Sequence, residues 1–218
     1  MKRYTHYVQT VKKCIFLIIG VILASGIAPQ LVYARTNPNN ENRVPEPRKM
    51  LIIQQDDGTC LEAKVECIQN KTTANRNEIV SHTETYKSDL YLNYNTSTQS
   101  YTLSANRYDN SISVKSYLTI RYKKNSSGFV LLTSVSGKWV VADHTVSVTR
   151  AKLRYGCGNE GGGNPSVSRI VSNNFSYNTG YTHYVAMGTT MATAGANLEL
   201  ELKHGSSTWK SLLVCNIG

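Results

Sequence analysis

The chain has 218 residues, 24 Lys and Arg against 14 Asp and Glu, and a formal charge of +10. That length supports a real core in one large β domain or two small ones. It holds no basic run of nucleic-acid-binding length, since the densest cluster, Arg121-Tyr122-Lys123-Lys124, leads straight into the polar turn Asn125-Ser126-Ser127-Gly128, so no specific nucleic-acid partner is expected.

Residues 1–34 read as a secretory signal. Lys2, Arg3, Lys12 and Lys13 give a basic start, Ile15 to Ala28 an apolar middle, and Val32-Tyr33-Ala34 a small-residue exit of the A-x-A kind. The uncharged stretch Cys14 to Ala34 could just cross a bilayer core at about 1.5 Å per residue, but Gly20, Gly26, Pro29 and Gln30 break its apolar run. Cleavage after Ala34 is the expectation, leaving a secreted chain with no stable membrane anchor. Cys14 sits too early in the leader to be a lipoprotein cysteine. Losing a 34-residue leader with four basic and no acidic residues lowers the formal charge from +10 to +6.

Residues 35–49 hold three prolines, four asparagines and one apolar side chain, the composition of a linker. Four cysteines follow: Cys60, Cys67, Cys157 and Cys215. An even number in an oxidising compartment suggests two disulfides. Nothing between Cys60 and Cys67 signals a turn, and their Cα atoms would stand about 23 Å apart if extended or about 10 Å apart in a helix, against a limit of about 7 Å. Both are therefore expected to pair with Cys157 and Cys215, in an open order. Zinc-type spacings such as C-x-x-C are absent, and no metal or other cofactor is expected.

From residue 50 to 218 the pattern has period two. Leu118, Ile120 and Tyr122 alternate with Thr119, Arg121 and Lys123; Val146 and Val148 alternate with Thr145, Ser147 and Thr149; and Leu198, Leu200 and Leu202 alternate with Glu199, Glu201 and Lys203. Turn signals separate such runs at Asp56-Asp57-Gly58, 125–128, Ser136-Gly137-Lys138, 156–164, Asn178-Thr179-Gly180 and 204–207. No capped helical stripe appears. The expected fold is an all-β antiparallel sandwich, immunoglobulin-like or jelly-roll-like. Residues 87–130 also echo residues 167–210, with Tyr101-Thr102 on Tyr181-Thr182, Leu118 on Leu198 and Ser126-Ser127 on Ser206-Ser207, which suggests two related halves.

Catalytic signatures are missing: there is no G-x-S-x-G elbow, H-E-x-x-H or P-loop. A cysteine-dependent cell-wall enzyme would need Cys157 or Cys215 beside His144 or His183, without the Thr-Leu-x-Thr-Cys strand that sortases carry. No catalytic residue is assigned. Gly156 to Asn164 lacks the order of a phosphate cradle and reads as a connection. Tyrosine, at 14 against 3 phenylalanines, offers the better hint, because its flat ring and hydroxyl suit stacking on sugars or partner surfaces. Tyr91, Tyr101, Tyr117, Tyr177 and Tyr181 are the candidate ligand-binding residues. Trp139 and Trp209 read as core anchors.

The segments Ser134-Val-Ser-Gly-Lys-Trp139, Leu153-Arg-Tyr-Gly-Cys-Gly158, Phe175-Ser-Tyr-Asn-Thr-Gly180 and Lys203-His-Gly-Ser-Ser-Thr-Trp209 resemble small secreted all-β proteins of Gram-positive bacteria that have no assigned function. The resemblance covers the C-terminal hundred residues and carries no catalytic residue.

The expected function is therefore non-enzymatic: a secreted protein that binds an extracellular polyanion, glycan or cell-wall surface through tyrosine-bearing strands and a mild positive field. The alternative is a membrane-active toxin or bacteriocin-like protein inserting residues 81–122 as a hairpin, at the cost of placing Lys87, Arg107 and Lys115 in lipid.

Overall fold

The computed structural model describes residues 49–217, apart from 56, 75–78, 96–99, 105–111, 160–161 and 188–192, and only the backbone of 93–95, 100–104, 112, 159 and 193. The leader and most of the expected linker lie outside these residues. Two six-stranded sheets, antiparallel at every pairing, pack face to face, as an all-β sandwich requires. Among the described residues there is no helix.

The strands in chain order are β1 (Lys49–Gln54), β2 (Cys60–Lys64), β3 (Glu66–Ala74), β4 (Val80–Asn95), β5 (Ser100–Ser104), β6 (Ile112–Lys124), β7 (Val130–Val141), β8 (Ser147–Asn159), β9 (Gly162–Ile170), β10 (Asn174–Asn178), β11 (Thr193–His204) and β12 (Ser207–Asn216). The first sheet, sheet A, runs β2-β1-β12-β11-β8-β9; sheet B runs β10-β7-β6-β4-β3, with β5 added to β4. Lys49, assigned to the linker by composition, is the first residue of β1 and stands opposite Cys215.

Period-two alternation builds the interior. Leu198, Leu200 and Leu202 of β11 and Leu51 and Ile53 of β1 face Val114, Leu118 and Ile120 of β6 and Leu132 and Val135 of β7, all buried. Trp209 is buried with them, and Trp139 packs against them from a half-buried position. At roughly 1.5–3 kcal/mol for each fully buried large aliphatic side chain, this interior is what holds the two sheets together. The expected turns at 125–128 and 204–207 do connect β6 to β7 and β11 to β12; Asn125 accepts the amide of Gly128, and Gly205 has φ +57°.

One turn signal is misleading. Ser136-Gly137-Lys138 lies inside β7, where Gly137 pairs with Leu118 on one side and Phe175 on the other. A Cβ there would come within 2.5 Å of the Tyr117 carbonyl oxygen and 2.6 Å of Phe175 Cζ. The glycine serves close packing, not chain reversal.

The expected disulfides are also absent: all four cysteines are free thiols. Cys60 pairs with Gln54, so it alternates outward from Leu51 and Ile53 and away from the interior cysteines. Cys157 and Cys215 both face inward, but on β8 and β12, the two neighbours of β11. Strands two places apart stand about 10 Å from each other, too far for a bridge. Cys67 sits exposed on the edge strand β3, with its thiol directed at the Gln69 carbonyl, 3.4 Å away.

The 80-residue echo superposes the β6–β7 hairpin of sheet B on the β11–β12 hairpin of sheet A.

Candidate polyanion-binding face

The five candidate tyrosines do not converge. Tyr177 and Tyr181 lie at the β9–β10 side of the sandwich and are used in packing. Tyr177 stacks on Phe175 at 6.2 Å and carries the Arg169 guanidinium 4.9 Å above its ring. Tyr181 leans on Tyr155 and donates its hydroxyl to the Pro165 carbonyl; burial, with smaller contributions from Tyr155 and Cys157, pushes its pKa up. Tyr91 is half-buried on β4, alternating away from the interior residues Leu90 and Leu92. The side chain of Tyr101 lies outside the described residues. Of the four whose side chains are described, Tyr117 sits in the middle of an open outer face.

That face belongs to β6, β7 and β10, which together contain no Asp or Glu. Continuous register aligns three cross-strand rows on it: Tyr117, Lys138 and Asn174; then Thr119, Ser136 and Ser176; then Arg121, Ser134 and Asn178. Because residues directly opposite share a face, these nine side chains form a grid about 10 Å across the strands and about 13 Å along them. Lys115 and Lys123 extend it along β6 in both directions. Lys138 Nζ lies over the Tyr117 ring, 5.2 Å from its centroid, a cation–π contact between the two strands. Among the described residues, none of Lys115, Arg121, Lys123 and Lys138 has a carboxylate within ion-pair distance.

The neighbouring strands differ. On the β3–β4 side of the same face, Lys87 is held by Asp89 at 2.8 Å and Glu66 at 3.6 Å, and the hydrogen bond that its ammonium donates to Asp89 is the main cause of its raised pKa. On the outer face of sheet A, Glu199 and Glu201 run down β11 with Arg154 and Arg150 at 3.9 and 3.8 Å. Sheet A thus interleaves opposite charges, whereas the β6–β7–β10 half of sheet B presents cations among hydroxyls and amides.

Sequence reasoning missed a second constellation, inside the sandwich. Glu84 alternates into the interior of β4, where it accepts hydrogen bonds from Lys49 Nζ at 2.6 Å, Tyr86 at 2.6 Å and Tyr122 at 2.7 Å. Lys49 comes from sheet A and the other three from sheet B, so the carboxylate ties the sheets together. Burial pushes the Glu84 pKa up, but the bonds from Lys49, Tyr86 and Tyr122 more than offset it and leave it below the usual glutamate range. Burial and the adjacent carboxylate push both tyrosines well up. His82 stacks on Tyr122 at 4.7 Å and contacts Thr72. Every strong group around Glu84 is already satisfied, which marks a structural tie and not a reactive centre.

Among the described residues no hydrogen bond joins Cys157 or Cys215 to His144 or His183. Cys157 donates to the Val130 carbonyl at 3.5 Å, and burial pushes its pKa up, as it does that of Cys215. His183 is held through its backbone by Asn164, whose side chain bonds the carbonyls of Cys157 and His183 and the amides of Thr182 and His183. Among the described residues no group of three His, Cys, Asp or Glu is placed to hold a metal ion.

The fold and this face together define a β-sandwich with a cationic, hydroxyl-rich sheet surface. A scan against protein-family models and searches of curated proteins and of solved structures find no match to this chain.

Proposed function

We propose that the protein is a secreted, non-enzymatic binding protein that holds an extracellular anionic polymer or surface on the outer face of β6, β7 and β10. The observation that carries this reading is the alignment of Lys115, Arg121, Lys123 and Lys138 on strands without a single acidic residue. Arg121, Lys123 and Lys138 stand opposite neutral residues on both neighbouring strands and lend their field to a ligand, while Lys115 lies across from Asp89 at the margin of the face; a flat sheet suits an extended polymer better than a small molecule. The raised thiol pKa values support a non-enzymatic role, since the thiolate is the nucleophile. The signal-like leader supports the compartment.

The membrane-active alternative gains nothing from the fold. β4 is paired on both sides, to β3 and β6, and its apolar residues Leu90 and Leu92 already face the interior. The test is retention of the mature protein on immobilised anionic polymer against a neutral polymer of the same length. Retention on the anionic polymer alone is expected, and equal retention on both, or on neither, would refute the proposal.

A further inference from the structure

The placement of charge on the grid selects among anionic polymers. Lys138 and Arg121 lie one strand apart and four residues apart along the strands, about 14 Å between Cα atoms. Lys123 lies two residues, about 7 Å, beyond Arg121, and Lys115 lies two residues along β6 from the Lys138 row, so the cations form two close pairs set apart along the strand. Between the charged rows runs one with no charge at all: Thr119, Ser136 and Ser176 in register across β6, β7 and β10. Thr119 is braced from the far side by Thr85 at 2.9 Å, and Thr85 in turn donates to Gln69 at 3.0 Å. Asn174, Ser134 and Asn178 fill the remaining grid positions with further neutral donors and acceptors.

A polymer with a charge on every short repeat would lay anions across this neutral row, and those anions would lose hydration without meeting a cation. A polymer whose anions are separated by hydroxyl-bearing units would place its charges on Lys138 and Arg121 and its hydroxyls on the row between. We propose that the ligand is an acidic polysaccharide with widely spaced anionic groups, bound lengthwise along β6, its hydroxyls recognised by Thr119, Ser136 and Ser176. The inference rests on the proposed polyanion-binding function and narrows it to one chemical class.

The test compares two probes of matched contour length at the same ionic strength. One is a polysaccharide of alternating uronic acid and N-acetylhexosamine, with one carboxylate per disaccharide; the other is polyphosphate. The polysaccharide is expected to bind at least about tenfold tighter. The triple variant Thr119→Val, Ser136→Ala, Ser176→Ala is expected to weaken polysaccharide binding about tenfold, equivalent to about 1.4 kcal/mol, and to leave polyphosphate binding unchanged. Near-UV circular dichroism establishes that the variant is folded, and the separate single variant Ser176→Ala, at an exposed edge-strand position, should show the same selective loss on a smaller scale. Polyphosphate binding as tightly as the polysaccharide, or a triple variant that weakens both alike, would overturn the inference while leaving polyanion binding intact. Binding of neither probe would overturn both.

Discussion

Replacing Glu84 with alanine removes the carboxylate that joins Lys49 of sheet A to sheet B. It strands the Lys49 ammonium and two tyrosine hydroxyls around a cavity, with Glu84 and Lys49 side chains only 8% and 22% exposed. Hydrogen bonds to a charged group are each worth about 1.5–3 kcal/mol net, but the burial of both ions offsets much of that sum. Breaking one side of such a pair costs about 3–5 kcal/mol, and at roughly 2–4 °C per kcal/mol for a domain of this size the midpoint should fall by about 10 °C. Urea unfolding of the protein at neutral pH, followed by tryptophan fluorescence, measures it; a loss below about 1 kcal/mol would refute the view that Glu84 ties the sheets. The pH dependence has a definite sign. Glu84 has a lower pKa folded than unfolded, so its stabilisation is complete above the unfolded value, about 4.3, and is lost as pH falls through the folded value. Glu84→Gln, which keeps one acceptor, should be destabilised less than Glu84→Ala, and its stability should fall less steeply than that of the natural protein through this acid range.

Three further outcomes are expected. Gly137→Ala should cost about 1–3 kcal/mol by overpacking against the Tyr117 carbonyl and the Phe175 ring, a loss visible in thermal melts. A neutral outcome would mean that β7 and β10 separate easily. In the native protein without reductant, a thiol reagent should label Cys67 fast and Cys60 more slowly, while Cys157 and Cys215 react only on unfolding; absence of label even in denaturant would mean that the cysteines are bonded. Asn164→Ala should free the segment that Asn164 clamps, raising amide exchange at Thr182 and His183 at least about tenfold while β11 stays protected.

The fold class was legible because two long strands advertise their faces. Leu118-Ile120-Tyr122 and Leu198-Leu200-Leu202 point inward as their alternation requires. Gly137 was not legible, because a glycine between serine and lysine looks the same in a turn as beneath an aromatic ring on the next strand. Glu84 was hidden for a related reason: after Val80 the inward positions of β4 are His82, Glu84, Tyr86 and Ser88 before Leu90 and Leu92, so the strand shows no sustained apolar period at that end. The cysteine pairing missed that Cys60 points outward from β2 and that Cys67 lies on the edge strand of the other sheet, neither of which local spacing records. As for the candidate site, tyrosine content pointed to sheet faces, but only register separates Tyr117, on an open surface, from Tyr177 and Tyr181, which are packed. Lys115, Arg121, Lys123 and Lys138 are scattered over two strands in the sequence and become one surface only when β6 and β7 pair.

The central claim is that binding belongs to this surface and not to the protein's overall positive charge. The direct measurement is the salt dependence of affinity for an acidic polysaccharide, for the natural protein and for two variants that each lose four cations. One carries Gln at Lys115, Arg121, Lys123 and Lys138; the other carries Gln at Lys64, Lys152, Lys203 and Lys210, on the outer face of sheet A. Because the cations meet the ligand's anions on an open face, log Kd should rise with log salt, and the slope reports how many of them engage. The first variant should lose both the affinity and the slope, while the second keeps them. Equal loss in both variants would contradict the account, because it would make net charge, and not the β6–β7–β10 face, the source of binding.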